Sequence, residues 1–123
     1  MKNVISYQYE HECDILKTTI AIVEEENVVL KTRLAGMVSS RFMDNAGLDH
    51  AEQIQSQLVL LDETIREFKE DLYDLQKQYE VLSLKTGSND LFFRLENLQI
   101  KLEKIKEEFI ALKNNLERFV LQS

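Results

Sequence analysis

The densest run of side chains able to do chemistry is His11, Glu12, Cys13 and Asp14, which offers imidazole, thiol and carboxylate donors in four consecutive positions. Consecutive residues of a helix point about 100 degrees apart, so these donors do not converge on one ion. The other imidazole, His50, lies a helix length away, on the order of 40 to 55 Å from His11 by helical rise. No Glu-x-x-His pair of the kind that builds carboxylate-bridged metal centres in helical bundles occurs in the chain. Nucleophilic catalysis needs a serine or cysteine beside an activating base in a shaped cleft, and no Gly-x-Ser-x-Gly elbow is present. The three glycines, Gly36, Gly47 and Gly87, are too scattered to form a phosphate-cradling loop. The expectation is a protein that is not an enzyme, with no catalytic, cofactor-binding or metal-ligating residue and no cofactor.

Three surface or buried features remain. Glu63, Glu67, Glu70 and Asp74 recur at spacings of four, three and four, which aligns their carboxylates along one side of a helix. Such a row is a candidate docking stripe for a basic partner, or simply a solvated outer face. Asn27 is the one polar residue in an otherwise apolar helical repeat, where a buried amide can set register and oligomeric state. Its expected neighbours are Leu61, Ile65 and Leu112, none of which offers a partner amide. Ile15, Ile22 and Val29 repeat every seven residues beside the same repeat. With Phe92, Phe93 and Ile100, and with Phe42, Met43, Val120 and Leu121, they exceed what the repeat itself can bury, and a contiguous patch of them would mark an interface. His11 reads as an outer-face residue, Cys13 as a small buried hydrophobe and His50 as a surface residue after a helix cap.

Composition narrows the classes further. The chain has 123 residues, 44% hydrophobic and 30% charged, with no proline. Such a composition describes few, long helices forming a single helical domain over 1–123. Twenty-two acidic against 15 basic side chains give a net charge of −7, which opposes a phosphate backbone, so no nucleic acid is expected. A lone cysteine makes no intramolecular disulfide and fits a reducing, cytoplasmic setting. No hydrophobic leader or membrane-length apolar run is present and the polar faces are not basic, so no membrane association is expected.

Positioning these residues falls to three segments in which apolar residues alternate three and four apart. The first runs Cys13, Leu16, Ile20, Val23, Asn27, Leu30, Leu34, Met37. Ile54, Leu58, Leu61, Ile65, Phe68, Leu72, Leu75, Tyr79 and Leu82 form the second. The third is Leu91, Leu95, Leu98, Leu102, Ile105, Phe109, Leu112, Leu116, Phe119. The spacing predicts helices over about 6–40, 49–86 and 89–122. Asp49 with Glu52 forms a capping box opening the second, Gly87 ends it, and Ser88 or Asn89 caps the third ahead of Asp90. Short connections make consecutive helices antiparallel, giving an all-α, up-down-up three-helix bundle of coiled-coil-like helices, each about 45 Å or longer. The flanks of the third helix are basic at Arg94, Lys101, Lys106 and Lys113. Counting through the breaks sets Glu24 and Glu26 between Lys106 and Lys113, and Asp62 near Lys113.

This pattern resembles three-helix coiled-coil modules of the spectrin-repeat type across nearly the whole chain, although the tryptophan usual in their cores is absent. The resemblance implies an architecture and carries no function with it. Taken together, the residues lead to a non-catalytic helical interaction or scaffold protein, expected to self-associate as a homodimer and able to engage another helical or basic protein. The alternative is a ligand- or metal-binding helical bundle, including an unfamiliar enzyme.

Overall fold

The computed structural model describes residues 4–41, 43–82 and 89–122. Within them lie three α-helices and no strand: α1 (Val4–Ser40), α2 (Asn45–Leu82) and α3 (Asn89–Gln122). All three pack on one another as an all-α three-helix bundle. Cross-helix contacts fix their directions. Tyr9, Glu24 and Asn27 of α1 meet Tyr79, Lys69 and Asp62 of α2, so numbers rise along one helix as they fall along the other. Tyr9, Glu12 and Arg33 meet Phe92, Gln99 and Glu117, so α3 runs parallel to α1.

The core is the apolar repeat read from the chain. Every described member is buried except Tyr79, which is half-buried against the cluster; the side chain of Leu82 lies outside the described residues. Burial of each Leu, Ile or Phe contributes about 1.5 to 3 kcal/mol before conformational entropy is subtracted. Tyr9 and Ala51 extend the core by one further step of the same spacing, four residues before Cys13 and three before Ile54.

The first connection is shorter than the spacing predicts. Helix α2 opens at Asn45, and its cap is Asp44 rather than Asp49. The Asp44 side chain accepts a hydrogen bond from the Gly47 amide at 2.8 Å, while its carbonyl accepts the Leu48 amide at 3.0 Å. An N-cap oxygen reaching the third helical amide satisfies one of the donors a helix start leaves open. Gly47 is thus part of the helix and makes room for its cap, since a Cβ there would lie 3.2 Å from the Asp44 carboxylate. Asp49 stands one turn inside α2, so the predicted loop over 41–48 shrinks to 41–44. At the other side of this turn, the Ser40 hydroxyl donates to the Gly36 carbonyl at 2.7 Å, occupying an acceptor near the end of α1. Met43 packs against the core. Phe42, Gly87 and Ser88 lie outside the described residues, as does the side chain of Asn89, whose backbone begins α3.

Ion pairs at the flanks depart from the predicted partners. Glu24 reaches Lys69 of α2 at 3.1 Å, Lys31 pairs with Asp62, and Lys106 turns to Glu103 of its own helix at 3.1 Å. Links to α3 come from Arg33 to Glu117 at 2.8 Å and Asp71 to Lys101 at 3.5 Å. Side chains at 24 and 31 leave α1 on the edge that faces α2, so matching heights with the lysines of α3 brings no contact. The mutual bond and charge raise the proton affinity of Arg33 and hold the Glu117 carboxyl below its ordinary value.

Candidate interaction surface

Each of the sequence-predicted apolar positions on α1 faces outward: Ile15 is 44% exposed, Ile22 51% and Val29 62%. They sit on one line with Gly36, beside Ala21, Val28 and Ala35, all exposed. On the three rows farthest from the core, the eleven positions of α1 between Asp14 and Gly36 hold two charged residues, Asp14 and Glu25. Matching rows hold six on α2 between Glu52 and Asp74, and five on α3 between Phe93 and Glu117. Helix α1 therefore carries fewer charges on its outer face than a bundle helix normally does.

The apolar candidates on α3 do not behave as one group. Phe92 packs edge-on against Tyr9 with ring centroids 5.6 Å apart, and Tyr9 in turn stacks on Tyr79 at 4.3 Å. Phe92, itself 37% exposed, thus leans on the end of the core, whereas Phe93 and Ile100 stand 62% exposed on the outer side of α3.

Asn27 is fully buried, with partners that the repeat alone did not indicate. Its amide nitrogen donates to the Asp62 carboxylate at 2.7 Å and to the Leu58 carbonyl at 3.2 Å. The other Asp62 oxygen accepts from the Lys31 ammonium. The result is a polar clasp between α1 and α2, open to water at Lys31 and Asp62 and closed at Asn27. The Asn27 carbonyl oxygen is buried with no hydrogen-bond partner among the described residues. Leaving such an acceptor unpaired costs about 1 to 3 kcal/mol. Replacing Asn27 with leucine removes that cost while water and Lys31 still serve Asp62. The expected result of Asn27→Leu is therefore unchanged or higher stability, by up to about 1 kcal/mol in urea unfolding. If association is also unaltered, Asn27 has no part in setting oligomeric state.

The carboxylates of the acidic stripe, Glu63, Glu67, Glu70 and Asp74, are all exposed on α2. The structure mixes them with cations. Glu70 pairs with Arg66 at 3.0 Å, and an open groove between α1 and α2 sets Lys31, Arg66 and Lys69 among five carboxylates, those of Glu24, Glu25, Asp62, Glu70 and Asp74. The field there is mixed in sign, which weakens the attraction of the row for a basic partner. A second open groove, of about 530 Å³, runs between α2 and α3 over Leu60, Leu61, Ala111 and Leu112, with Gln57, Glu108 and Arg118 among its polar residues.

Among the described residues no group of three or more His, Cys, Asp or Glu is placed to hold a metal ion. His11 is exposed. His50 is not the free surface residue its place after Asp49 implied. It is half-buried, edge-on to Phe119 at 5.1 Å, with Nε2 3.4 Å from the Asn115 side-chain oxygen. Because α2 starts earlier than expected, residue 50 falls one turn into the helix, on the flank that meets the C-terminal end of α3. Cys13 is buried beside Tyr9. Desolvation, aided by the charges of Asp14, Glu10 and Glu12, pushes its thiol from 9.0 up to about 11, with the Tyr9 hydroxyl acting in the opposite sense. Burial raises the Tyr9 phenol as well. Groups held protonated by the fold stabilise it below their unfolded values and lose that contribution as pH rises through the folded ones. Thermal stability should therefore fall between pH 9 and about 11. Cys13 should resist thiol reagents at neutral pH until the chain is unfolded, and rapid labelling of the native protein would contradict its placement.

No helix among the described residues is long and apolar enough to cross a membrane. No protein-family model, curated protein or solved structure matches the chain.

Proposed function

We propose that this chain is a non-catalytic interaction module that works by presenting helical surfaces, and that it self-associates through the outer face of α1. One observation carries the reading: of eleven positions on the rows farthest from the core, α1 holds two charged residues where α2 holds six and α3 five. An exposed contiguous apolar face on a small protein marks a site of association. The single cysteine supports a reducing, cytoplasmic setting for such a module.

Sedimentation equilibrium over a wide concentration range tests the proposal. The expected mass is a multiple of 14.4 kDa that returns to 14.4 kDa in the double variant Ile22→Asp, Val29→Asp. Both positions point to solvent in the bundle, so the variant should keep the native helical content and melting behaviour of a monomer. A wild-type mass of 14.4 kDa at every concentration would remove self-association from the reading and leave a different protein as the partner.

A further inference from the structure

We infer that the occupant of the α1 face is the α1 helix of a second copy, lying antiparallel, with the two-fold axis near residues 22 to 25. This rests on the reading of α1 as a self-associating surface and adds the direction in which it pairs.

The first argument is the distribution of charge along α1. Between residues 7 and 26 there are six carboxylates against the single Lys17; between 27 and 41 there are Lys31, Arg33 and Arg41 and no carboxylate. A parallel pair would lay the acidic stretch on its own copy, with Glu25 facing Glu25 at the centre. An antiparallel pair lays the basic third of each helix over the acidic start of the other, and complementary charge fixes orientation and register at interfaces of this kind.

The second argument is spacing. Ile15, Thr18, Ile22, Glu25, Val29 and Thr32 alternate three and four apart, which is the repeat of a second coiled-coil stripe on the side of α1 away from the core. Reversed upon itself about a point between Ile22 and Glu25, this stripe sets Ile15 against Thr32, Thr18 against Val29 and Ile22 against the stem of Glu25. In the same register Arg33 of one copy comes within two residues, about 3 Å of helical rise, of the level of Glu12 of the other, twice by symmetry. Both occupy the α3-facing flank of α1, where Glu12 accepts from Gln99 and Arg33 donates to Glu117 through Nη1 only, leaving further guanidinium donors for a second carboxylate. Gly36 fits the same surface. A Cβ built on it meets nothing within 4 Å, so the single chain has no steric need for a glycine there, and its absence of side chain leaves room for a helix crossing opposite His11.

The test is a spin–spin distance measurement on full-length Ser39→Cys carrying one nitroxide per chain; buried Cys13 stays unlabelled in the folded protein. Residue 39 lies on the outer face of α1, about 15 residues from the proposed axis. At about 1.5 Å per residue, antiparallel pairing separates the two labels by about 45 Å, while parallel pairing brings them within about 20 Å. A dimer with the long distance, lost in Ile22→Asp, is the expected result. If a dimer gives the short distance, the antiparallel inference fails while self-association through α1 stands. A dimer that survives Ile22→Asp places the contact elsewhere, and a monomer at all concentrations overturns the underlying reading together with this one.

Discussion

Phe109→Ala is expected to lower the free energy of unfolding by about 3 to 5 kcal/mol, the cost of deleting a buried aromatic ring and leaving a cavity. Phe109 is 6% exposed in the middle of α3. The parallel contacts of α1 with α3 put it level with Val23. The antiparallel contacts of α2 put it level with Leu58 and Leu61. All three helices therefore contribute walls to the space the ring leaves. Backbones of long helices are held at both ends by their own hydrogen bonds and by neighbouring layers, so the wall cannot collapse inward far enough to refill it. Denaturant unfolding followed by circular dichroism reads the effect, with the midpoint shifted and the slope unchanged. A loss below about 1 kcal/mol would mean that the ring does not sit in a three-walled layer.

Asn27→Asp is the second large effect, and its sign depends on pH. The substitution exchanges the amide that donates to Asp62 at 2.7 Å for a carboxylate, placing two anions in contact at a fully buried position. Lys31 is already engaged by the outer oxygen of Asp62. An uncompensated buried charge of this kind costs about 3 to 5 kcal/mol at neutral pH. Burial and the neighbouring anion both raise the pKa of the new carboxyl in the folded state. The folded form then binds more protons than the unfolded one, so stability falls as pH rises through the carboxylate range and recovers as pH is lowered. When protonated, the new side chain can donate to Asp62 or to the Leu58 carbonyl and restores most of the clasp. Urea unfolding at pH 7 and pH 5 should show the variant regaining stability relative to the parent at the lower pH. Equal losses at both values would point to a misfit of shape instead of charge.

The contrast between these two variants shows which parts of the molecule the chain makes legible. Phe109 belongs to a repeat of period three and four, and that repeat predicts burial because helix geometry brings such residues to one side. The same logic reaches Tyr9 and Ala51, which continue the spacing one step beyond where the apolar run is obvious. The partners of Asn27 were not legible. Asp62 lies on the edge of α2, and whether an edge residue turns toward the first or the third helix depends on the rotation of each helix about its axis. Glu24 and Lys106 pair with Lys69 and Glu103 instead of with each other's helix for the same reason: periodicity gives height along the bundle but says little about which neighbour an edge faces. The chain points to Asp49 as the cap because Glu52 completes a capping box there, whereas the residue three after Asp44 is Gly47, which offers no reciprocal side chain. In the structure the Asp44 carboxylate takes the Gly47 amide at 2.8 Å, and the helix starts at Asn45.

The proposed surface was half legible. Ile15, Ile22 and Val29 stand out in the chain as surplus to the repeat, and spacing alone groups Phe92 with them, although its ring lies edge-on to Tyr9. A side chain at the edge of a stripe is covered or bare according to what the neighbouring helix places beside it, here a tyrosine one layer from the end of the core.

By itself the amino-acid sequence determined three helices, their order and the side of each that turns inward, because these follow from hydrogen bonding within each helix and the removal of an apolar stripe from water. Tertiary structure alone decided the Asn27 clasp, the ion-pair partners, the seat of His50 and the packing of Phe92 on Tyr9. Each of those depends on the rotation and offset of one helix against another, which side-chain packing across the bundle sets and local spacing does not.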